Sequence, residues 1–253
     1  MSDQLPIEAL QVVRETGLPS HLHMALDEVL LDAVAAERRP PVLRFWGWRE
    51  ATLVIGSNQS VGNEVDLEAA ARHGFLITRR LSGGGTMLAE PGRTITWSVI
   101  ASEREVAGMS FRDSYAHLDR WAVETLRSLG ISASYRPIND IVSPSGKIAG
   151  AAQARRRGAF LHHVTMAYSM TPGLLTELIR LGRPALTEHG VRSANKAVSP
   201  LNELVELSRE EIVSALARRA GGSRGTIAAG ELASAEALAA SKYSREEWIH
   251  RLS

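Results

Sequence analysis

Two stretches of the chain combine cations with glycine in a way that could hold an anion. In RRLSGGGTML, Arg79–Leu88, two arginines precede Ser82 and three consecutive glycines, Gly83, Gly84 and Gly85, with Thr86, Met87 and Leu88 following. A run without Cβ atoms can approach a ligand closely and turn successive N–H groups toward it, and a guanidinium matches phosphate or carboxylate. The same residues also fit a glycine-rich hairpin flanked by two surface arginines. In NDIVSPSGKIAGAAQ, Asn139–Gln153, Asn139 and Asp140 offer oxygen ligands suited to Mg2+. Lys147 there opens a run of small residues that includes Gly150. It either enters a pocket lined by backbone or stands in solvent at a hairpin turn.

Other chemistries find no support in the residues. The chain has 253 residues and no cysteine, which removes disulfides, thiolate metal sites and a cysteine nucleophile. No Gly-Lys-Ser/Thr follows the glycines, so they are not a Walker loop, and no G-x-G-x-x-G or G-x-S-x-G occurs. His162 and His163 are adjacent on a predicted strand and face opposite ways, so they cannot share a metal ion, and no spacing suggests zinc. Arg155, Arg156 and Arg157 beside a turn read as a solvated tip or a dock for an acidic partner. The formal net charge of +1 argues against nucleic acid as a partner. No basic-then-apolar leader and no apolar run of spanning length is evident, so a soluble, cytoplasmic protein without membrane partners is expected.

The elements that must position these residues follow from periodicity. A helix is predicted from Ser20, as its cap, to Ala36, and a second from Phe111 to Leu129 with Gly130 as its stop. VLRFW and TLVIG (Val42–Trp46 and Thr52–Gly56) read as strands joined by a short turn, and Phe75–Arg79 as a strand leading into the glycines. In TITWSVI, Ile95, Trp97 and Val99 alternate with Thr94, Thr96 and Ser98. ISASY, INDIV, KIAGAAQA and AFLHHVTMAY give four more strands, the last two joined at Arg157-Gly158. Helices follow: Thr171-Pro172 is predicted to start one, SREE at Ser208 and at Ser244 to form capping boxes, and Gly221–Gly225 to be a flexible connector. The order implies an α+β fold with a largely antiparallel sheet flanked by helices.

Taken together, RRLSGGGTM and NDI…GKIAGAAQ…LHH resemble the lipoate–protein ligase A family of the biotin/lipoate ligase superfamily. MALDEVLL, VIGSNQS and GVRSANKAVSPLNEL (Gly190–Leu204) extend the resemblance over nearly the whole chain. It implies one class II synthetase-like catalytic domain over 1–253, with a helical C-terminal segment from about 205. It also implies activation of lipoate or octanoate by ATP to acyl-AMP, then transfer to a lysine of a lipoyl carrier domain (2-oxoacid dehydrogenase E2 or glycine cleavage H protein). By resemblance, Lys147 clamps the acyl carbonyl and adenylate phosphate, while Arg79, Arg80, Ser82, Gly83–Leu88, Arg93, Asn139 and Gly150 hold the nucleotide or adenylate. Asp140 positions Mg2+.

Two departures qualify the resemblance. The family often has His-Asp-Leu-Gly-Asn after the glycines where this chain has Ala89-Glu90-Pro91-Gly92-Arg93, with Arg93 in the asparagine's place. There is also no room for the accessory C-terminal domain of many ligases, so a separate accessory protein is expected. Octanoyl- and lipoyl-transferases of the superfamily generally use a cysteine thioester, a route closed here. A cysteine-independent transferase taking acyl-AMP or an acylated carrier, and a carrier-binding homologue without catalysis, are the competing expectations.

Overall fold

Strand-forming segments rich in β-branched and aromatic residues build two sheets. The computed structural model describes residues 4–15, 17–182 and 193–252. Its strands are β1 (Gln11–Arg14), β2 (Val42–Trp46), β3 (Thr52–Ile55), β4 (Leu76–Arg79), β5 (Met87–Ala89), β6 (Thr94–Ser102), β7 (Ser134–Arg136), β8 (Asp140–Ser143), β9 (Gly146–Arg156), β10 (Ala159–Ala167) and β11 (Ser223–Arg224). The helices are α1 (Ser20–Ala35), α2 (Val61–Glu64), α3 (Leu67–Arg72), α4 (Phe111–Ser128), α5 (Leu174–Leu178), α6 (Arg209–Ala220), α7 (Ala229–Leu238) and α8 (Glu246–Ile249). The large sheet runs β11-β1-β2-β6-β10-β9-β8-β7, and the small one β4-β3-β5. From β2 outward to β7 every pairing is antiparallel, whereas β1 pairs parallel with β2 and β11. This is the expected α+β fold, a mostly antiparallel sheet flanked by helices.

Alternation along the strands separates two cores. Leu43 and Phe45 of β2 and Ile95, Trp97 and Val99 of β6 pack with Leu118, Trp121 and Leu126 of α4 and Ile212 and Leu216 of α6. Val42, Trp46, Ile100 and Leu161 point the other way, onto Leu22, Leu26, Leu30 and Leu31 of α1 and Ala235 of α7. Full burial of each large side chain contributes about 1.5–3 kcal/mol, so both helix layers are anchored through the sheet. The C-terminal helices thereby complete cores begun earlier in the chain. The polar face of β6 is also buried, because Thr94 and Thr96 line a cavity instead of meeting solvent.

Local expectations meet mixed outcomes. Arg157 and Gly158 do turn β9 into β10, with φ of 55° and 82°, as a primed two-residue hairpin turn needs. β2 and β3, however, belong to different sheets. Ser20 lies inside α1 and does not cap it; its hydroxyl pairs with Thr52 Oγ1 at 2.6 Å and donates to Glu50. The capping box at Ser208 forms, but Ser244 Oγ donates to the Ala239 carbonyl, and α8 starts after Arg245 without a side-chain cap. Thr171 and Pro172 precede α5, whose N-cap is Gly173, because the Glu90 carboxylate takes both Thr171 N–H and O–H. The Gly221–Gly225 connector is not loose: it carries β11 onto the edge of β1. Of the Gly190–Leu204 stretch, residues 190–192 lie outside the described residues. Among the described residues no helix is long and apolar enough to cross a membrane.

Candidate active site

Both sequence-predicted stretches reach one cavity of about 430 Å³, enclosed by the glycine loop, β6, β9, β10 and the segment after residue 193. Its wall is apolar at Met24, Trp46, Val54, Met87, Leu88, Ile148 and Ile179. It turns polar at Lys147, Asn139, Lys196 and Ser193. Arg80, Gly84, Gly85, Thr86, Met87, Leu88, Asn139, Lys147 and Gly150 line it; Arg79, Ser82, Gly83 and Arg93 do not.

The two adjacent arginines at the end of β4 point to different sides. Arg80 is buried, giving Nη1 to the Val54 carbonyl at 3.0 Å, Nη2 to Gly83 and Gly85 at 2.5 and 2.8 Å, and Nε to Ser82 Oγ and the Gly83 carbonyl at 3.1 Å each. It braces the glycine loop from behind, and burial pulls its guanidinium down to about 10. Arg79 faces away from the cavity. Its guanidinium holds the carbonyls of Gly56, Ser57 and Gln59 and those of Trp248 and Ile249 in the C-terminal helix. Its donors are thus taken by backbone, and it does not line the cavity. Arg93 follows a turn at Gly92 (φ 72°) and is half exposed outside the cavity, near Glu90 and Ser169. Gly56 lets the loop sit so close, since a Cβ there would lie 2.1 Å from the Gly84 carbonyl oxygen.

Behind the loop runs a buried polar chain that the sequence reading did not assemble. Ser82 Oγ lies 2.5 Å from His163 Nε2; His163 Nδ1 lies 3.3 Å from Asp27 Oδ2; Arg44 donates to Asp27 Oδ1 at 2.9 Å. Alternation on β10 separates the two histidines as expected: His162 meets Asp119 of α4 at 2.7 Å on the other face. Burial pulls the His163 imidazole below its ordinary range despite Asp27, which favours the neutral ring. Burial would raise the Asp27 carboxyl, but Arg44, His163 and Ser98 together hold it below its ordinary value.

The opposite wall carries the unspent charge. The β8–β9 pairing shifts register between Ile141 and Val142, so Val142 faces Lys147 while Ile141 faces Ala149. Such bulges bend a strand and redirect side chains. Lys147 lies across Gly150, where a Cβ would stand 2.4 Å from Nζ, and reaches Asp140 Oδ1 at 2.9 Å. Lys196 pairs with the other Asp140 oxygen. Burial draws the Lys147 ammonium below its ordinary value, offset by Asp140 and reinforced by Lys196 and Arg80. Asn139 spends its side-chain N–H on the Ala151 carbonyl at 2.6 Å.

The expected metal finds no such setting. Asp140 is buried with its carboxylate between two ammonium groups, and among the described residues no group of three or more His, Cys, Asp or Glu side chains could hold a metal ion. The residues present do not fit a resident Mg2+. Lys196, Ser193, Asp27 and His163 went unassigned although the segments holding them stood out. Only the three-dimensional meeting of those segments reveals their partners.

Comparison with known proteins decides the family. Residues 19–220 match the model of the lipoyl protein ligase A/B catalytic domain. The chain belongs to that family. Octanoyltransferase LipM of Geobacillus kaustophilus is 32% identical over 264 residues, covering 91% of this chain and 94% of that protein. The bi-partite lipoate protein ligase of Thermoplasma acidophilum superposes with a TM-score of 0.80 at 26% identity, covering 95% of each chain. A lipoate-protein ligase A bound with ATP gives 0.77 at 25% identity over 99% of each. The chain is an enzyme of this lipoate ligase and octanoyltransferase family.

Proposed function

We propose that the protein joins a lipoyl or octanoyl group to the lysine of a lipoyl carrier domain through an acyl-adenylate, without a covalent enzyme intermediate. The observation that carries this is the cavity's polar end. It offers ammonium groups on Lys147 and Lys196 for an acid's carboxylate, while the chain has no thiol to form a thioester. The apolar wall suits the acyl tail. The acyl carboxylate attacks the α-phosphorus of ATP and releases pyrophosphate; the carrier lysine's amine then attacks the acyl carbon and AMP leaves. In the first step negative charge shifts from the carboxylate to the phosphoryl oxygens and the departing pyrophosphate; in the second it grows on the acyl carbonyl oxygen as the amine gives up a proton, and the Lys147 ammonium stabilises it there. Arg80 and the glycine loop as far as Leu88 shape the nucleotide side. The likeness to an ATP-bound ligase supports this donor, and the likeness to a bi-partite ligase supports a separate accessory protein.

A second reading keeps the cavity and changes the donor. The likeness to LipM favours octanoyl transfer from an acylated carrier directly to the acceptor lysine. Pyrophosphate exchange into ATP separates the two. The adenylate reading expects exchange that requires octanoate or lipoate and vanishes in Lys147→Ala. Octanoyl transfer from a carrier in ATP-free buffer, with no acid-dependent exchange, would establish the second.

A further inference from the structure

Lys196 shares the carboxylate-binding end of the cavity with Lys147, and its position is fixed from both sides. Ser193, three residues earlier, is buried and gives its N–H and hydroxyl to Glu64 Oε2 at 2.9 and 2.6 Å, while accepting from the Thr86 N–H at 3.0 Å. Immediately after Lys196, the Ala197 carbonyl accepts from the Lys147 N–H and the Ser199 N–H donates to the Lys147 carbonyl, each at 2.8 Å. The backbone around Lys196 is thus tied to the glycine loop at one end and to Lys147 at the other. Its ammonium and that of Lys147 take one Asp140 oxygen each.

The charge count then has a consequence. Among the described residues the other groups on the cavity wall that could carry charge near neutral pH are already engaged: Arg80 by loop carbonyls, Glu90 by Thr171, His163 by Ser82 and Asp27. Two ammonium groups share one carboxylate, so among the described residues one positive charge lacks a counter-ion beside a largely apolar cavity. An unmatched charge in such surroundings is costly, and an entering anion relieves the cost while a neutral ligand does not. The Lys196 side chain is 42% exposed and that of Lys147 28%, so both remain reachable by a ligand.

We infer that Lys196 is a second anion-binding residue of the acyl site, forming with Lys147 a two-lysine clamp on Asp140 that selects acyl groups ending in a negative charge over neutral amides, esters and thioesters. This rests on reading the cavity as the acyl site. It bears on the donor, because a free carboxylate or an acyl phosphate meets the requirement and a carrier thioester does not.

Calorimetric titration of octanoate and of octanamide, without ATP, into the wild type, Lys196→Gln and Lys196→Arg tests it. The wild type should prefer octanoate by about tenfold, the worth of one charge-assisted hydrogen bond. Lys196→Gln should lose that preference with octanamide unchanged, and Lys196→Arg should keep most of it. Lys196→Gln that binds octanoate as the wild type does, or that loses both ligands equally as a purely structural tie would, overturns the clamp alone. Wild-type protein that binds neither ligand overturns the acyl-site reading along with it.

Discussion

The glycine loop and the β8–β9 wall of the cavity each meet two cations, and the cations end in different states. On the first wall Arg79 and Arg80 spend their N–H groups almost wholly on backbone carbonyls, one set in the loop and the other in the C-terminal helix. On the second wall Lys147 and Lys196 share a single carboxylate and keep part of their surface open to the cavity. A rigid guanidinium fork suits the bracing of several carbonyls at once, whereas a compact ammonium can exchange a neighbour for a substrate oxygen. The teaching is that a basic motif next to glycines can be scaffold, while the reactive charge comes from a strand sixty-odd residues away.

The largest effect should fall on the lysine wall. Lys147→Ala should lower acyl transfer on the order of 10²–10³-fold with melting unchanged, as for removal of one oxyanion-type donor. Lys147→Arg should recover little, since its planar head does not fit over Gly150. Steady-state rates with a lipoyl domain as acceptor check both. On the glycine wall the effect should be structural. Gly56→Ala sets a Cβ against the Gly84 carbonyl oxygen and should cost about 1–3 kcal/mol of stability by overpacking. Unfolding in denaturant measures it; an unchanged midpoint would show that the loop yields freely.

A pH series sharpens the contrast further. Lys147 faces Asp140, Lys196 and Arg80, and its ammonium is held below the ordinary lysine value of 10.5. The rate should therefore fall as pH rises through a value lower than 10.5. Stability moves oppositely: between the lowered value and 10.5 the unfolded chain binds the proton more readily, so the contribution of Lys147 to stability rises with pH. Comparing the wild type with Lys147→Met isolates both limbs. The smallest effect belongs to Arg93→Ala, which should leave rate and melting near wild type because that side chain is half exposed outside the cavity.

Strand periodicity made the sheet legible in the sequence: β2, β6, β9 and β10 stand where alternation places them, and opposite facing of His162 and His163 follows from it. What escaped were decisions made by tertiary partners. Ser20 and Ser244 have cap-forming residue types, but neighbours claimed their hydroxyls. Arg79 and Arg80 are identical in type and adjacent, so only the closing of α8 onto β4 separates their roles. Lys147 was identifiable from its small-residue strand, but Lys196 was not, because it meets Lys147 only through Asp140, fifty-six positions before it.

Arg79→Met and Lys147→Met, read side by side for melting temperature and for octanoate affinity, put the division between bracing and chemistry to its most direct test. Arg79→Met removes the donor to the buried carbonyls of Gln59 and Ile249 and should lose on the order of 2 kcal/mol of stability, while the folded protein binds octanoate as the wild type does. Lys147→Met should melt like the wild type and bind octanoate about tenfold more weakly. Wild-type affinity in Lys147→Met, or lost affinity with unchanged melting in Arg79→Met, would contradict the account.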